Sequence, residues 1–165
     1  MKNIKNILFP IFVAIILTLN FSSCKDDIYA DWKILNEKWL ENFKETHKND
    51  PGFVITESGL CYKVIHQGVM RRPNSNSWIV ANYKGSLIQN YKGKFDDEKL
   101  FDSGEFNLPL SNAIAGWQEG IVKMNGGGKY IFYVPASLAY GEDGLGDIAP
   151  HSTLIFEVEL LDSYQ

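Results

Sequence analysis

The sequence predicts an α+β fold in which a curved antiparallel sheet wraps one short central helix, preceded by a separate amphipathic helix. Three observations carry this. The runs "LCYKVIHQ", "SWIVANYKGSLI", "GGGKYIFYVP" and "STLIFEVELL" are rich in β-branched and aromatic residues and alternate as strands do. Between them "SNAIAGWQEGIVKM", residues 111–124, switches to a helical period that puts Ala113, Ile114, Trp117 and Ile121 on one side. The chain has 165 residues, 45% of them hydrophobic and 22% charged, with no internal repeat or low-complexity tract, which suits one core with appendages.

Taken in order, the chain begins "MKNIKNILFPIFVAIILTLNFSSC". Lys2 and Lys5, the apolar run from Ile7 to Leu19 and the small residues before Cys24 have the layout of a secretory signal, too short to favour a stable membrane span. The "FSSC" ending resembles the lipobox of bacterial lipoproteins, whose cysteine is acylated and becomes the mature N-terminus; the rival reading is a plain signal peptide with a chance cysteine. Lys25, Asp26 and Asp27 resemble the acidic export tag of surface lipoproteins in the Bacteroidetes. The expectation is therefore a lipoprotein signal peptide over 1–23, an anchor, linker and helix over 24–57, and a folded domain over 58–165. The protein would be lipid-anchored in the cell envelope, at the periplasmic face or the cell surface.

Residues 31–46 space Trp32, Leu35, Trp39, Leu40 and Phe43 by three and four, the pattern of an amphipathic helix with Asp31 at its N-cap. Its polar face mixes signs, which disfavours a membrane-surface role. Such a helix docks on its own domain or on a second copy, so a homodimer through 31–46 is one of two expectations. "KNDPG" then signals a turn. With Cys24 acylated, Cys61 has no disulfide partner, and its apolar β-rich surroundings predict a buried structural thiol. Ser111 stands where an N-cap of the second helix should be. The last two strands are separated by a long loop rich in glycine and acid, and loops of that length inside compact domains tend to be functional.

The formal charge is −4, and loss of a leader carrying Lys2 and Lys5 would make it more negative, which disfavours a nucleic-acid surface, and no nucleic-acid partner is expected. His47, His66 and His151 have neither an i,i+4 partner nor a cysteine pair, giving zinc little support. "NGGG" at 125–128 follows a helix and precedes a strand, the reverse of a phosphate-binding loop. Glu142, Asp143 and Asp147 lack the spacing of a calcium loop. No metal or cofactor is expected. What remains is a supply of aromatic residues beside glycines or acids: Tyr83 before Gly85, Phe101 joined to Asp102, Trp117 after Gly116, Tyr140 before Gly141. Each alone reads as core.

Together, in order, "VANYKGSL", "LFDSG", "AIAGWQEGIVKMNGGGK", "VPASLAYGEDG" and "IAPHSTLIFEVELL" resemble the FKBP-type peptidyl-prolyl cis-trans isomerases over about residues 58–163. The resemblance implies a half-open antiparallel sheet around a short helix, isomerase activity on X–Pro bonds that assists protein folding, proline-containing polypeptides as partners and macrolides as inhibitors. It implies that Tyr83 lines a pocket, Phe101 and Asp102 form one wall, and Trp117 is the floor. Ala113 and Ile114 would contact substrate ahead of the helix, with Phe106 as a further aromatic wall. Tyr140 would hydrogen-bond ligand, Ile148 close the lip, Phe156 back the site, and the long loop form the rim.

The chain departs from the family pattern in three places. "IQNYKGKFDDEK" replaces a short turn, so a second alignment makes Phe95 and Asp96 the wall pair; "FDSG" favours Phe101 and Asp102. Ala113 stands for a larger valine, and Ile148-Ala149-Pro150 for Ile-Pro-Pro, implying a wider pocket with a looser rim. Two other classes of function fit the same residues: a peptide-binding module without turnover, and a structural lipoprotein whose aromatics are only core.

The lipobox reading predicts that Cys24→Ser abolishes lipid labelling and releases the protein from membranes, because the acylating enzyme reads that cysteine in its small-residue context. Unchanged partitioning of the variant into detergent would overturn it.

Overall fold

The structure, a computed structural model, describes residues 28–165; the expected signal peptide over 1–23, Cys24 and the acidic residues after it lie outside the described residues. Helix α1 (Ala30–His47) comes first. Strands β1 (Phe53–Ile55), β2 (Cys61–His66), β3 (Trp78–Leu87) and β4 (Asp102–Pro109) follow, then helix α2 (Ala115–Ile121) and strands β5 (Lys129–Val134) and β6 (Leu154–Tyr164). The strands form one antiparallel sheet in the order β1-β2-β5-β6-β3-β4. This is the fold class the sequence predicts.

The period-two alternation of the strands divides the core in two. On the inner face, Ile79 and Ala81 of β3, Phe132 and Val134 of β5, and Leu154, Phe156, Val158 and Leu160 of β6 pack with Trp117 and Ile121 of α2. On the outer face, Cys61, Ile131, Tyr133 and Ile155 pack with Leu40 of α1, Phe53, and Ile88 and Tyr91 from the segment after β3. Among the described residues no helix is long and apolar enough to cross a membrane.

Helix α1 docks on its own sheet. Its buried stripe runs through Trp32, Asn36, Trp39, Leu40 and Phe43, and Leu35, expected inside, is 51% exposed. The apolar spacing alone could not reveal that the polar Asn36 takes the inward place on the turn where Leu35 was expected. Asp31 is not the cap: Tyr29 is, without a side-chain bond, and Asp31 lies in the first turn, where its charge suits the positive end of the helix dipole.

Helix α2 is shorter than the apolar spacing suggested. Ser111 sits in a 3-10 turn over Leu110–Asn112, and the helix starts after Ile114. Periodicity ran the two together because 3-10 and α turns both return an apolar residue after three or four positions. Gly116 lets α2 lie directly on β5: a Cβ there would come within 2.5 Å of Val134 Cγ1. Two strands escaped the reading. β1 is three residues long, and β4 is an edge strand with mostly exposed residues and little alternation.

The segment after β3 folds away from α2. Tyr91 is buried on the outer face with its hydroxyl 3.3 Å from that of Tyr133, and Phe95 packs edge-on against Tyr91 at 5.2 Å. Cys61 is fully buried and desolvation pushes its thiol up to about 11, as befits an inert structural cysteine.

Gly116→Ala should destabilise the domain by about 1–3 kcal/mol, the range for overpacking a filled core. A lower urea midpoint with unchanged slope is the expected result; an unchanged midpoint would mean that Val134 can turn aside at no cost.

Candidate functional site

A cavity of about 200 Å³ opens on the inner face of the sheet beside the N-terminal end of α2. Trp117, only 4% exposed, lies at its base, placed there by the close seating of α2 on β5. Three rings surround the indole at 5.3 Å between centroids: Tyr83 and Phe156 edge-on at 84°, and Phe106 tilted at 58°. Phe101 meets Phe156 edge-on at 5.5 Å. Edge-to-face contacts of this kind are directional, so the rings hold one another in orientation as well as in place.

The backbone explains why these rings leave a space. In the sheet register Gly85 of β3 lies opposite Phe156 on one side and Asp102 on the other, and Phe101 N–H donates to Gly85 O at 3.0 Å. A Cβ on Gly85 would fall 2.6 Å from the Phe101 ring and 3.0 Å from that of Phe156. Glycine at this position therefore lets two aromatic walls converge without collision.

Ala113 and Ile114 line the cavity from the stretch between the 3-10 turn and α2. Gln118 Nε2 donates to Ala113 O at 2.7 Å and Ser111 O at 3.3 Å, tying that stretch to the helix. Asn112 also lines the cavity and was missed, since a lone asparagine in a turn gives no sequence signal. Of the long loop, only Tyr140 reaches the cavity wall. Ile148, expected at the lip, is 7% exposed, packs in the same inner core as Trp117 and Phe156 and is not among the residues lining the cavity. The backbone pairing of Leu145 with Ile148 folds the loop back on itself at that point.

The polar side of the cavity is a pair. Tyr83 Oη donates to Asp102 Oδ2 at 2.6 Å, and Asp102 is exposed at the mouth. Burial first, then the hydrogen bond to Asp102 and its negative charge, push the Tyr83 phenol up to about 12. Tyr140 is raised as well, by burial and then by the Asp102 charge. Trp117 Nε1 is buried without a hydrogen-bond partner, an uncommon state for a donor. Phe95 and Asp96 stand apart from all of this. Phe95 belongs to the outer cluster, and Asp96 caps a 3-10 turn and pairs with Lys99 at 3.2 Å, which lowers its carboxyl pKa.

Residues 71–161 match the model of the family described as FKBP-type peptidyl-prolyl cis-trans isomerase. The chain belongs to this FKBP family. The match runs from before β3 into β6 and takes in every residue that lines the cavity. A probable FKBP-type peptidyl-prolyl cis-trans isomerase FkpA of Neisseria meningitidis is 39% identical over 133 residues, 80% of this chain and 47% of that protein. The outer membrane protein MIP of Legionella longbeachae is 35% identical over 138 residues, 76% of this chain and 56% of its own. The crystal structure of FkpA from Escherichia coli superposes with a TM-score of 0.69 at 34% identity, covering 81% of this chain and 61% of that one. The chain thus spans about half the length of these curated FKBP relatives.

The Tyr83–Asp102 pair predicts a titration. Folding holds Tyr83 protonated beyond its ordinary value of about 10. The stability this contributes is complete below pH 10 and is lost as pH rises through about 12. Followed by the Tyr83 ring resonances in NMR, Asp102→Asn should bring the pKa down yet leave it above 10, because burial is the larger cause. A pKa unmoved by the substitution would show that the hydrogen bond contributes nothing.

Proposed function

We propose that this FKBP-family chain is a peptidyl-prolyl cis-trans isomerase that rotates X–Pro bonds of polypeptides outside the cytoplasm and so assists their folding, anchored to a membrane by an acyl chain on Cys24. The observation that carries the activity is an aromatic cavity with the oriented Tyr83–Asp102 pair at its mouth. Rotation about an X–Pro bond meets a barrier of about 20 kcal/mol, set by amide resonance. Water reinforces that resonance by solvating the polar planar carbonyl. A proline ring seated over Trp117, among Phe101, Phe106 and Phe156, takes the preceding carbonyl out of water, so the planar amide loses more than the twisted one. The cavity then binds the transition state better than the ground state. Each 1.4 kcal/mol of that difference gives about tenfold in rate.

Named side chains have separate tasks in this reading. Trp117 is the platform, Phe156 backs it, and Tyr83 and Asp102 orient the peptide at the mouth, with Tyr140 donating from the loop. Ala113 and Ile114 meet the flanking backbone. Macrolides with a proline-like ring would compete for the same space. The leader-like segment over 1–23 ahead of Cys24 supports the extracytoplasmic setting, as does the similarity to the Legionella relative, an outer membrane protein.

A coupled assay on a proline tetrapeptide tests this. Asp102→Ala and Tyr83→Phe should each lower kcat/KM roughly five- to thirtyfold, the equivalent of about 1–2 kcal/mol for one oriented hydrogen bond. Far-ultraviolet circular dichroism should stay unchanged, and Asp96→Ala should keep full activity. A wild-type domain that binds proline peptides without turning them over would be a binding module instead.

A further inference from the structure

We propose that α1 is a positioning element of the pocket, acting through a clasp in which Asn36 and Trp32 hold the exit of the loop that carries Tyr140. The inference rests on reading the cavity as the proline site. Asn36 is 0% exposed in a stripe otherwise made of large apolar residues. A buried amide is disfavoured there unless its polar atoms are used, and both are. Oδ1 accepts from Thr153 N–H at 2.8 Å, just ahead of β6, and Nδ2 donates to Trp32 O at 2.8 Å. Trp32 Nε1 in turn donates to Ser152 Oγ at 2.9 Å, and Ser152 Oγ donates to Ala149 O at 2.7 Å. Two residues of one helix thus grip two consecutive residues at the end of the loop.

From that grip a chain of backbone bonds leads to the cavity wall. His151 N–H donates to Gly141 O at 2.7 Å, joining the held end of the loop to the residue after Tyr140. Gly144 N–H donates to Tyr140 O at 3.1 Å. His151 takes a φ of 63°, a left-handed backbone that a non-glycine residue keeps only where its surroundings impose it. The loop also contains Gly141, Gly144 and Gly146, all at positive φ, and glycine-rich backbone has much freedom to lose. Apolar packing of α1 would cover the outer face of the sheet equally well with leucine at 36. The amide at that position fixes where the loop leaves the sheet, and with it the place of Tyr140.

Hydrogen–deuterium exchange on the full chain tests the clasp. Asn36→Ala should speed exchange over residues 139–152 by roughly tenfold relative to the amides of β3 and β6, as expected when one cooperative unit loosens and the rest does not. The Tyr140 ring resonances should broaden, and KM for a proline peptide should rise roughly three- to tenfold with kcat changed less. Trp32→Phe keeps an aromatic ring in the stripe while deleting the indole donor and part of the ring's volume. It should give the same pattern at smaller amplitude, and it decides the matter if Asn36→Ala does not fold. Exchange rising in step across loop and sheet, or a folded Trp32→Phe variant with unchanged exchange over 139–152, would overturn the proposal. If the wild type shows no turnover the isomerase reading fails, and the exchange and ring measurements still decide the clasp.

Discussion

The sheet cannot leave either face in water, and most of the architecture follows from that constraint. β5 reads Tyr130-Ile131-Phe132-Tyr133-Val134, with every residue buried, and β6 opens Leu154-Ile155-Phe156 in the same way. In an antiparallel sheet with one wet face, alternate positions would be polar; continuous apolar runs at the centre require cover on both sides. α2 and the core beneath it cover one side. The other is covered by α1 together with Ile88 and Tyr91 of the segment after β3. The unusual "IQNYKGKFDDEK" stretch is therefore accounted for by packing on the outer face, where its aromatic residues meet Tyr133 and one another.

The same division of faces gives the cavity its character. Because period two sends Tyr83, Phe156 and Phe106 to the side occupied by α2, their rings meet the indole of Trp117, and Gly85 supplies the room that keeps them from filling it. The lysines and acids of the same strands, Lys84, Lys129, Glu157 and Glu159, belong to the opposite set of positions. Two of them pair directly, Lys129 with Glu157 at 2.9 Å. A charged strand can in this way line an apolar cleft while keeping ionised groups away from it. That separation suits the proposed isomerisation, in which the cavity takes one amide out of water.

The legible and illegible parts of the sequence divide along physical lines. β3, β5 and β6 could be read because alternation in β3 and the later part of β6, and a continuous run of β-branched and aromatic residues in β5 and the start of β6, both leave a trace in the sequence. Trp117 and Tyr83 could be singled out only through the ordered resemblance to the FKBP family, because a large ring beside a glycine reads by itself as core. β4 was invisible because an edge strand with exposed side chains leaves no such trace. Ile148 and Asn112 exchanged expectations for a related reason: which residue of a loop or turn faces a cavity is set by backbone turns, here the Leu145–Ile148 pairing and the 3-10 turn at Leu110–Asn112, which hydropathy does not encode. The choice between Phe101 and Phe95 turned on register, and the register is fixed by the pairing of Gly85 with Asp102 and Phe156.

Asn36 shows the limit most clearly. On the sequence the helix over 31–46 reads as an amphipathic element that docks on its own domain or on a second copy through leucine, tryptophan and phenylalanine, with no polar residue expected in its buried stripe. In the structure it lies on Tyr133 and Leu40's neighbours of the outer cluster, and its one buried polar residue is spent on a backbone amide 117 positions away. A chain cut after residue 57 would return Cys61, Tyr133 and Ile155 to water and leave the Thr153 N–H without its acceptor. The exposed residues lie on β2, β5 and β6, and the freed amide lies just ahead of β6, the strand that carries Phe156 to the cavity. The helix is thus part of the physical unit that makes the site, and its apolar side chains stabilise what its single amide aligns.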